Sequence, residues 1–320
     1  MNQISRKQQW RLFKFLVATL AVGYLVYEIA FQRDLSQLMD TYTSSVVEKP
    51  FWLILVLVLM PINWMLETYK WQQLLRQHVQ VKFKDALRGV LMGVSVGLFT
   101  PNGVGEFGGR MLVVSRKMRQ YAASTSIVSS LSQLAITITI GGACLMFYVS
   151  DYLAPEQRMI AYLVACGTVV IGYFAYFQLP RITTLLFTRI KWFNRYNRFV
   201  ESLESVSKKT LLNAYLVSLM RYLVFCFQLV VVIYLVSDWE HVFKLEFAAL
   251  IPVNYYIQTI IPTITLSEIG VRSFVLGMLF EPHLLPVDLI TASFLIWVVN
   301  LIIPGLVGLF VFLRFNANKI

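Results

Sequence analysis

Charge is what this chain has least of. Of its 320 residues only 14% are Asp, Glu, Lys or Arg, while 58% are hydrophobic; a soluble domain carries about a quarter charged residues. That shortage, with a mean hydropathy of +0.65, excludes an ordinary soluble globule. Cysteine and histidine are scarce too, three of each. Cys144, Cys166 and Cys226 lie in apolar stretches, odd in number and without metal-ligand spacing, so they read as small core residues. His78, His241 and His283 fall in loops with no second ligand at useful spacing, and no metal site is assigned. Acids are outnumbered, 17 against 28 bases, yet the bases lie in short blocks between apolar runs rather than in one patch. That is the distribution the positive-inside rule produces, and it argues against a nucleic-acid partner. No G-x-x-x-x-G-K-[ST] is present, so ATP is not expected as a direct driver, and no cofactor is expected.

The apolar runs read as an all-α polytopic membrane protein in one transmembrane domain, residues 1–320. A full span needs about 20 apolar residues. Six stretches qualify: Leu12–Phe31, Phe51–Thr68 with Pro61 inside it, Ala122–Val149, Met159–Leu179, Leu211–Val236 and Leu289–Leu313. The first follows Arg6, Lys7, Arg11 and Lys14 and has no small-residue cleavage site after it, so a retained helix is expected. Lys70, Arg76, Lys82, Lys84 and Arg88 read as a basic connector after the second span. Trp192, Phe193, Tyr196 and Phe199, interleaved with bases at helical spacing, suggest an interfacial amphipathic helix.

Two stretches are too short to cross. Asp85–Phe99 reaches only about two-thirds of the hydrocarbon thickness at about 1.5 Å per residue. Pro101, Gly103 and Gly105 then stop it, and a second piece runs from Glu106 to Val114. Phe247–Ile261 is likewise broken by Pro262 before Glu268–Phe280 returns. Each is expected to be a re-entrant helical hairpin, 85–115 and 246–281. With both read this way, 21 of the 28 Lys and Arg lie on the cytoplasmic side, four outside, and three (Arg110, Arg221 and Arg272) within the membrane. Residues 51–150 and 211–314 then form two units of an inverted-topology repeat, with both chain termini cytoplasmic.

The chemistry concentrates in the breaks. Glu106 and Arg110, and Glu268 and Arg272, each stand four apart, the favourable order for a helical ion pair; Gly105 and Gly270 accompany them. Intramembrane ions cost about 3 kcal/mol each on insertion scales, so their recurrence asks for a cause. Either each pair neutralises itself and pins its hairpin, or the hairpins meet near mid-depth and offer Arg110, Arg272 and half-helix amides to an anionic group. Arg221, about ten residues into its span, either contacts that group or pairs with a Glu of a neighbouring helix. Ser126, Ser130, Gln133 and Thr137 share a helix face, as a water-lined wall or as interhelical hydrogen bonds. In the second unit Asn254, Tyr255, Gln258 and Asn300 are the corresponding polar candidates. Asn63 and Glu28 are weaker ones, and Gly93 and Gly97 form a G-x-x-x-G suited to close packing.

T-P-N-G-V-G-E-F-G-G-R at 100–110 and I-G-V-R at Ile269–Arg272 resemble the paired signatures of the bacterial lysylphosphatidylglycerol synthase transmembrane-region, or flippase-like, family. That family includes the membrane half of the multiple peptide resistance factor. The resemblance covers most of the chain and implies movement of an anionic or aminoacylated phospholipid between leaflets of the bacterial inner membrane. It would fall on Pro101, Gly105, Glu106, Arg110, Gly270 and Arg272. Relatives typically have a glycine-richer second signature with an acid after the Arg; here Ser273 follows, and the acid is Glu268. No soluble synthase half follows before Ile320, so lysyl transfer is not expected. The reading is a transporter and not an enzyme, its partner a membrane lipid. A polyprenyl-phosphate or sugar-linked carrier, or an integral-membrane enzyme or partner of lipid-linked glycan synthesis, are the alternatives. An enzyme would need an acidic pair; Asp34 and Asp40 are the external candidates, without a D-x-D. A lipid-modifying synthase or glycosyltransferase partner and an oligomer are both compatible with the sequence.

Overall fold

A computed structural model describes residues 49–98, 100, 103–150, 152–178, 180–182, 197–237, 239–261, 265–280 and 283–315. Among these the chain is all-α: α1 Pro50–Leu75, α2 Phe83–Gly97, α3 Glu106–Met111, α4 Arg119–Ser150, α5 Pro155–Phe177, α6 Asn197–Glu204, α7 Lys208–Ser237, α8 Leu245–Ala248, α9 Leu250–Ile260, α10 Thr265–Phe280, α11 Pro286–Trp297 and α12 Ile303–Arg314. Five helical stretches are long and apolar enough to cross a membrane: Pro50–Leu75, Arg116–Ser150, Pro155–Phe177, Lys208–Ser237 and Pro286–Arg314. The expected first span Leu12–Phe31, the acids Asp34 and Asp40, and the breakers Pro101 and Pro262 lie outside the described residues, as does most of the expected interfacial helix. Its Phe199 belongs to α6, which packs Leu203 against Leu74 and Tyr176.

One expected boundary is wrong in a way that matters. The second span does not end at Thr68 but continues to Leu75, and Lys70 is not part of a solvated connector. Its side chain is completely buried within α1. No Gly or Pro interrupts residues 62–75, so nothing in the backbone stops the helix where hydropathy falls. Tertiary partners, described below, hold the charges that hydropathy counts against it.

The first broken stretch folds into a tight antiparallel hairpin. α2 and α3 cross at glycines: a Cβ on Gly109 would strike the backbone of Gly93 and Met92, and one on Gly93 would lie 2.6 Å from the Glu106 carbonyl. Between the arms Gly103 adopts φ +67, a left-handed conformation that costs other residues more. The Gly105 N–H donates to Thr100 Oγ1 at 2.7 Å and closes the turn. α9 and α10 also pack against each other.

Helix contacts come in matching sets. α1 packs on α7; α2 packs on α12, and α9 packs on α4; α3 packs on α4, and α10 on α11. Two of these seams use glycine. Gly308 of α12 brings its backbone against the Leu91 carbonyl of α2, and Ser95 Oγ donates to the Gly305 carbonyl at 2.6 Å. Gly141 of α4 meets α9, where a Cβ would lie 2.6 Å from the Pro252 carbonyl. The last span keeps its continuity through a π-helical segment, Val298–Ile302. Pro304 cannot donate to the carbonyl four residues back, and local widening removes the demand.

Candidate functional site

The centre of the bundle is organised by Glu67, on the inner face of α1. Its Oε1 accepts from Arg110 Nη2 and from Ser129 Oγ, both at 2.9 Å. Its Oε2 lies 2.9 Å from Lys70 Nζ and 3.1 Å from Arg221 Nη1. Four helices therefore meet at one carboxylate: α1, α3, α4 and α7. Glu106 completes the group, its Oε2 accepting from Arg110 Nη2 at 3.2 Å. Lys70 also donates to Ser218 Oγ at 3.1 Å, and Ser218 shares a 2.9 Å hydrogen bond with Ser132.

Three cations against two carboxylates leave one positive charge in excess among these five side chains. Glu67, Lys70 and Arg110 are almost wholly buried, whereas the Glu106 side chain is 28% exposed and Arg221 11%. The accessible side of the cluster is thus the side of Glu106 and Arg221. Aromatic rings pack against the cluster's arginines. Arg110 lies over Trp71 at 5.8 Å, and Arg221 over Trp64 at 5.4 Å and Phe225 at 4.9 Å, cation–π contacts that strengthen where water is excluded.

The cluster is not saturated by protein. Among the described residues, Arg110 Nε and Nη1, Arg221 Nε, the Trp64 and Trp71 indole N–H groups and both polar atoms of Asn63 are buried without a hydrogen-bond partner. Asn63, Trp64, Glu67 and Trp71 stand at helical spacing on α1, so these groups surround one locus. A buried polar atom left unpaired costs about 1–3 kcal/mol. Such a concentration in one place calls for an explanation.

The sequence-derived candidates distribute unevenly. Glu106 and Arg110 form their expected i,i+4 pair, but Arg110 is held more closely by Glu67. Arg221 pairs with a carboxylate of a neighbouring helix and reaches Gln133 Oε1 at 3.4 Å. Of the stripe on α4, Ser130 is exposed, and Ser126 and Thr137 donate back to Ala122 and Gln133 carbonyls of their own helix at 2.6 and 3.0 Å. Asn254 is buried on α9 and accepts from Gln258 at 2.8 Å. Asn300, in the π-helical segment, donates to Gln228 Oε1 at 2.8 Å, and Gln228 donates to the Val56 carbonyl at 2.9 Å. Arg272 is half-buried and Gly270 exposed on α10, which packs on α9 and α11. The Glu268 side chain lies outside the described residues. Sequence reasoning passed over Glu67, Lys70, Ser129, Ser132 and Ser218. The available signal was an acid and a base three apart, flanked by Trp64 and Trp71, in an unbroken helical run.

Comparison with curated proteins finds no match. Residues 11–308 match the family model described as the lysylphosphatidylglycerol synthase TM region. That span takes in the Glu67 cluster, both broken stretches and the first half of α12, and it places the chain in a family concerned with membrane lipid. This chain belongs to the lysylphosphatidylglycerol synthase TM region family.

Proposed function

We propose that the chain carries the head group of an anionic or aminoacylated phospholipid between leaflets, through a polar locus centred on Glu67. It acts as a transporter, not an enzyme, in the bacterial inner membrane with both termini cytoplasmic. The observation that carries this reading is the largely buried group of five ionisable side chains with one excess positive charge and, among the described residues, unpaired Arg110, Arg221, Asn63, Trp64 and Trp71 atoms around it. A phosphate oxygen would satisfy the free Arg110 and Arg221 donors, for which planar guanidinium groups are well suited. Glu67 holds both forks in place meanwhile and keeps them from collapsing onto lipid.

The inverted repeat belongs to the same proposal. The reciprocal packing of α2 on α12 and α9 on α4 supports it, as does a sequence relationship. Gln228 follows Glu67 by 161 residues, the separation of Pro262 from Pro101. The two side chains are buried polar hubs on the paired helices α1 and α7, one ionised and one neutral. On this reading the charged half supplies the binding locus and the neutral half the counterpart against which it rocks. The second hairpin, with Glu268, Arg272, Pro262 and Gly270, guards the opposite face.

Purified protein in liposomes with labelled phosphatidylglycerol, lysyl-phosphatidylglycerol and polyprenyl phosphate tests the proposal. Scrambling of a phospholipid without added cofactor, lost in Arg110→Ala, supports it. Movement of the polyprenyl phosphate alone would transfer the function to lipid-linked glycan export. Chemical conversion of any of the three would make the protein an enzyme.

A further inference from the structure

A second basic feature lies away from the Glu67 cluster, at the end of the bundle where α2 begins and α12 ends. A cleft of about 810 Å³ opens there between the segment 79–82, the start of α2, the segment after α3 and the last turn of α12. Val113 and Val114 form a buried floor. Among the described lining residues the rim carries Lys82, Arg88 and Arg314 against one acid, Asp85, and Asp85 is already engaged by Arg88 at 2.9 Å. Three cations against one carboxylate leave two positive charges in excess. Arg314 Cζ lies 3.9 Å from the centroid of the Phe310 ring, a cation–π contact that holds the guanidinium at the rim. Phe310, Leu313, Leu306 and Val307 continue along α12 as an exposed apolar face.

Polar rim, apolar floor and a continuous greasy wall are what a lipid needs and a soluble anion does not. The volume lies within the range of small-ligand sites, about 300–1,000 Å³. The location fits as well, because basic pockets at the ends of membrane helices suit acidic head groups. We infer that this cleft binds the phosphodiester head group of an anionic phospholipid from the leaflet at the basic end of the bundle, with the acyl chains lying along α12. Its charge excess selects a lipid with two phosphates over one with a single phosphate, and either over a zwitterion. The site holds whether or not the central cluster carries lipid, since the two sets of side chains share no residue.

The test uses purified full-length protein in detergent, titrated with diphosphatidylglycerol, phosphatidylglycerol and phosphatidylethanolamine and read by native mass spectrometry. Diphosphatidylglycerol is expected to bind at least tenfold tighter than phosphatidylethanolamine, with phosphatidylglycerol between them. Lys82→Ala/Arg88→Ala/Arg314→Ala, three exposed positions, should lose at least tenfold in diphosphatidylglycerol affinity. Lys208→Ala/Lys209→Ala, exposed at the start of α7, should stay within twofold of wild type. Equal binding by the triple variant, equal loss in the lysine pair, or full displacement of the lipid by millimolar glycerol phosphate would each overturn the inference. Scrambling of labelled lipid by the triple variant reports separately on the central cluster.

Discussion

Glu67 and Arg110 stand 43 residues apart in the chain and 2.9 Å apart in the bundle, in a site that four helices close. Removing one partner of such a pair leaves the other buried and uncompensated, which costs about 3–5 kcal/mol. Glu67→Gln is therefore expected to lower the midpoint of thermal unfolding sharply. Glu67→Gln/Lys70→Met restores the original charge excess and should unfold at a higher temperature than Glu67→Gln alone. A double variant no more stable than the single would mean that charge balance does not govern the cluster.

Adjacent glycines on α3 separate packing from propensity. A Cβ at Gly108 meets nothing within 4 Å, whereas one at Gly109 strikes the backbone of Gly93 and Met92. Gly108→Ala should be neutral or stabilising by up to about 1 kcal/mol, the helix-propensity gain. Gly109→Ala must open the hairpin and should destabilise by about 1–3 kcal/mol or more. Thermal unfolding of the two variants side by side checks this, and a neutral Gly109→Ala would contradict the close crossing.

The seam between α4 and α9 offers a similar contrast. Gly141 faces Pro252 and Tyr256, while Gly167 on α5 has open space. Gly141→Ala is expected to lose at least 1 kcal/mol of stability, and Gly167→Ala none. Both are read from the same unfolding assay, so equal effects would count against the α4–α9 contact.

His78 gives a pH dependence outside the spans. Burial pushes its imidazole below the ordinary value, with a Ser202 hydrogen bond opposing. Its ring stacks on Tyr121 at 4.5 Å, and Nε2 lies 3.2 Å from both Ser202 and Ser205 hydroxyls. The unfolded chain, with a histidine pKa of about 6.5, takes up the proton first as pH falls. Stability contributed by neutral His78 is thus present above that value and declines as pH drops toward the lower folded pKa. His78→Asn should flatten the fall in unfolding temperature between pH 7.5 and 5.5. An unchanged slope would exclude His78 as a contributor.

Much of the helical layout was legible because hydropathy and breakers act locally. Gly103 must accept a positive φ, and the Glu106–Arg110 spacing sets its ion pair without help from other helices. The hub was not legible for the opposite reason. Glu67 and Lys70 lower the apparent hydropathy of α1 just where the helix continues, and only Arg110, Ser129, Ser218 and Arg221 from three other helices make their burial tolerable. The α4 stripe was right for Gln133, which reaches Arg221, and off by one position elsewhere. Ser129 and Ser132 face the cluster, while Ser126 and Thr137 satisfy themselves on their own helix. Helical spacing alone defines a face, not which neighbour occupies it.

The most direct measurement is a density map of the protein in lipid nanodiscs rich in phosphatidylglycerol. A phosphate is expected within about 3 Å of guanidinium nitrogens of Arg110 and Arg221, with Glu67 still bridging them. Head-group density confined to the outside of the bundle, with the Glu67 locus closed and dry, would contradict it.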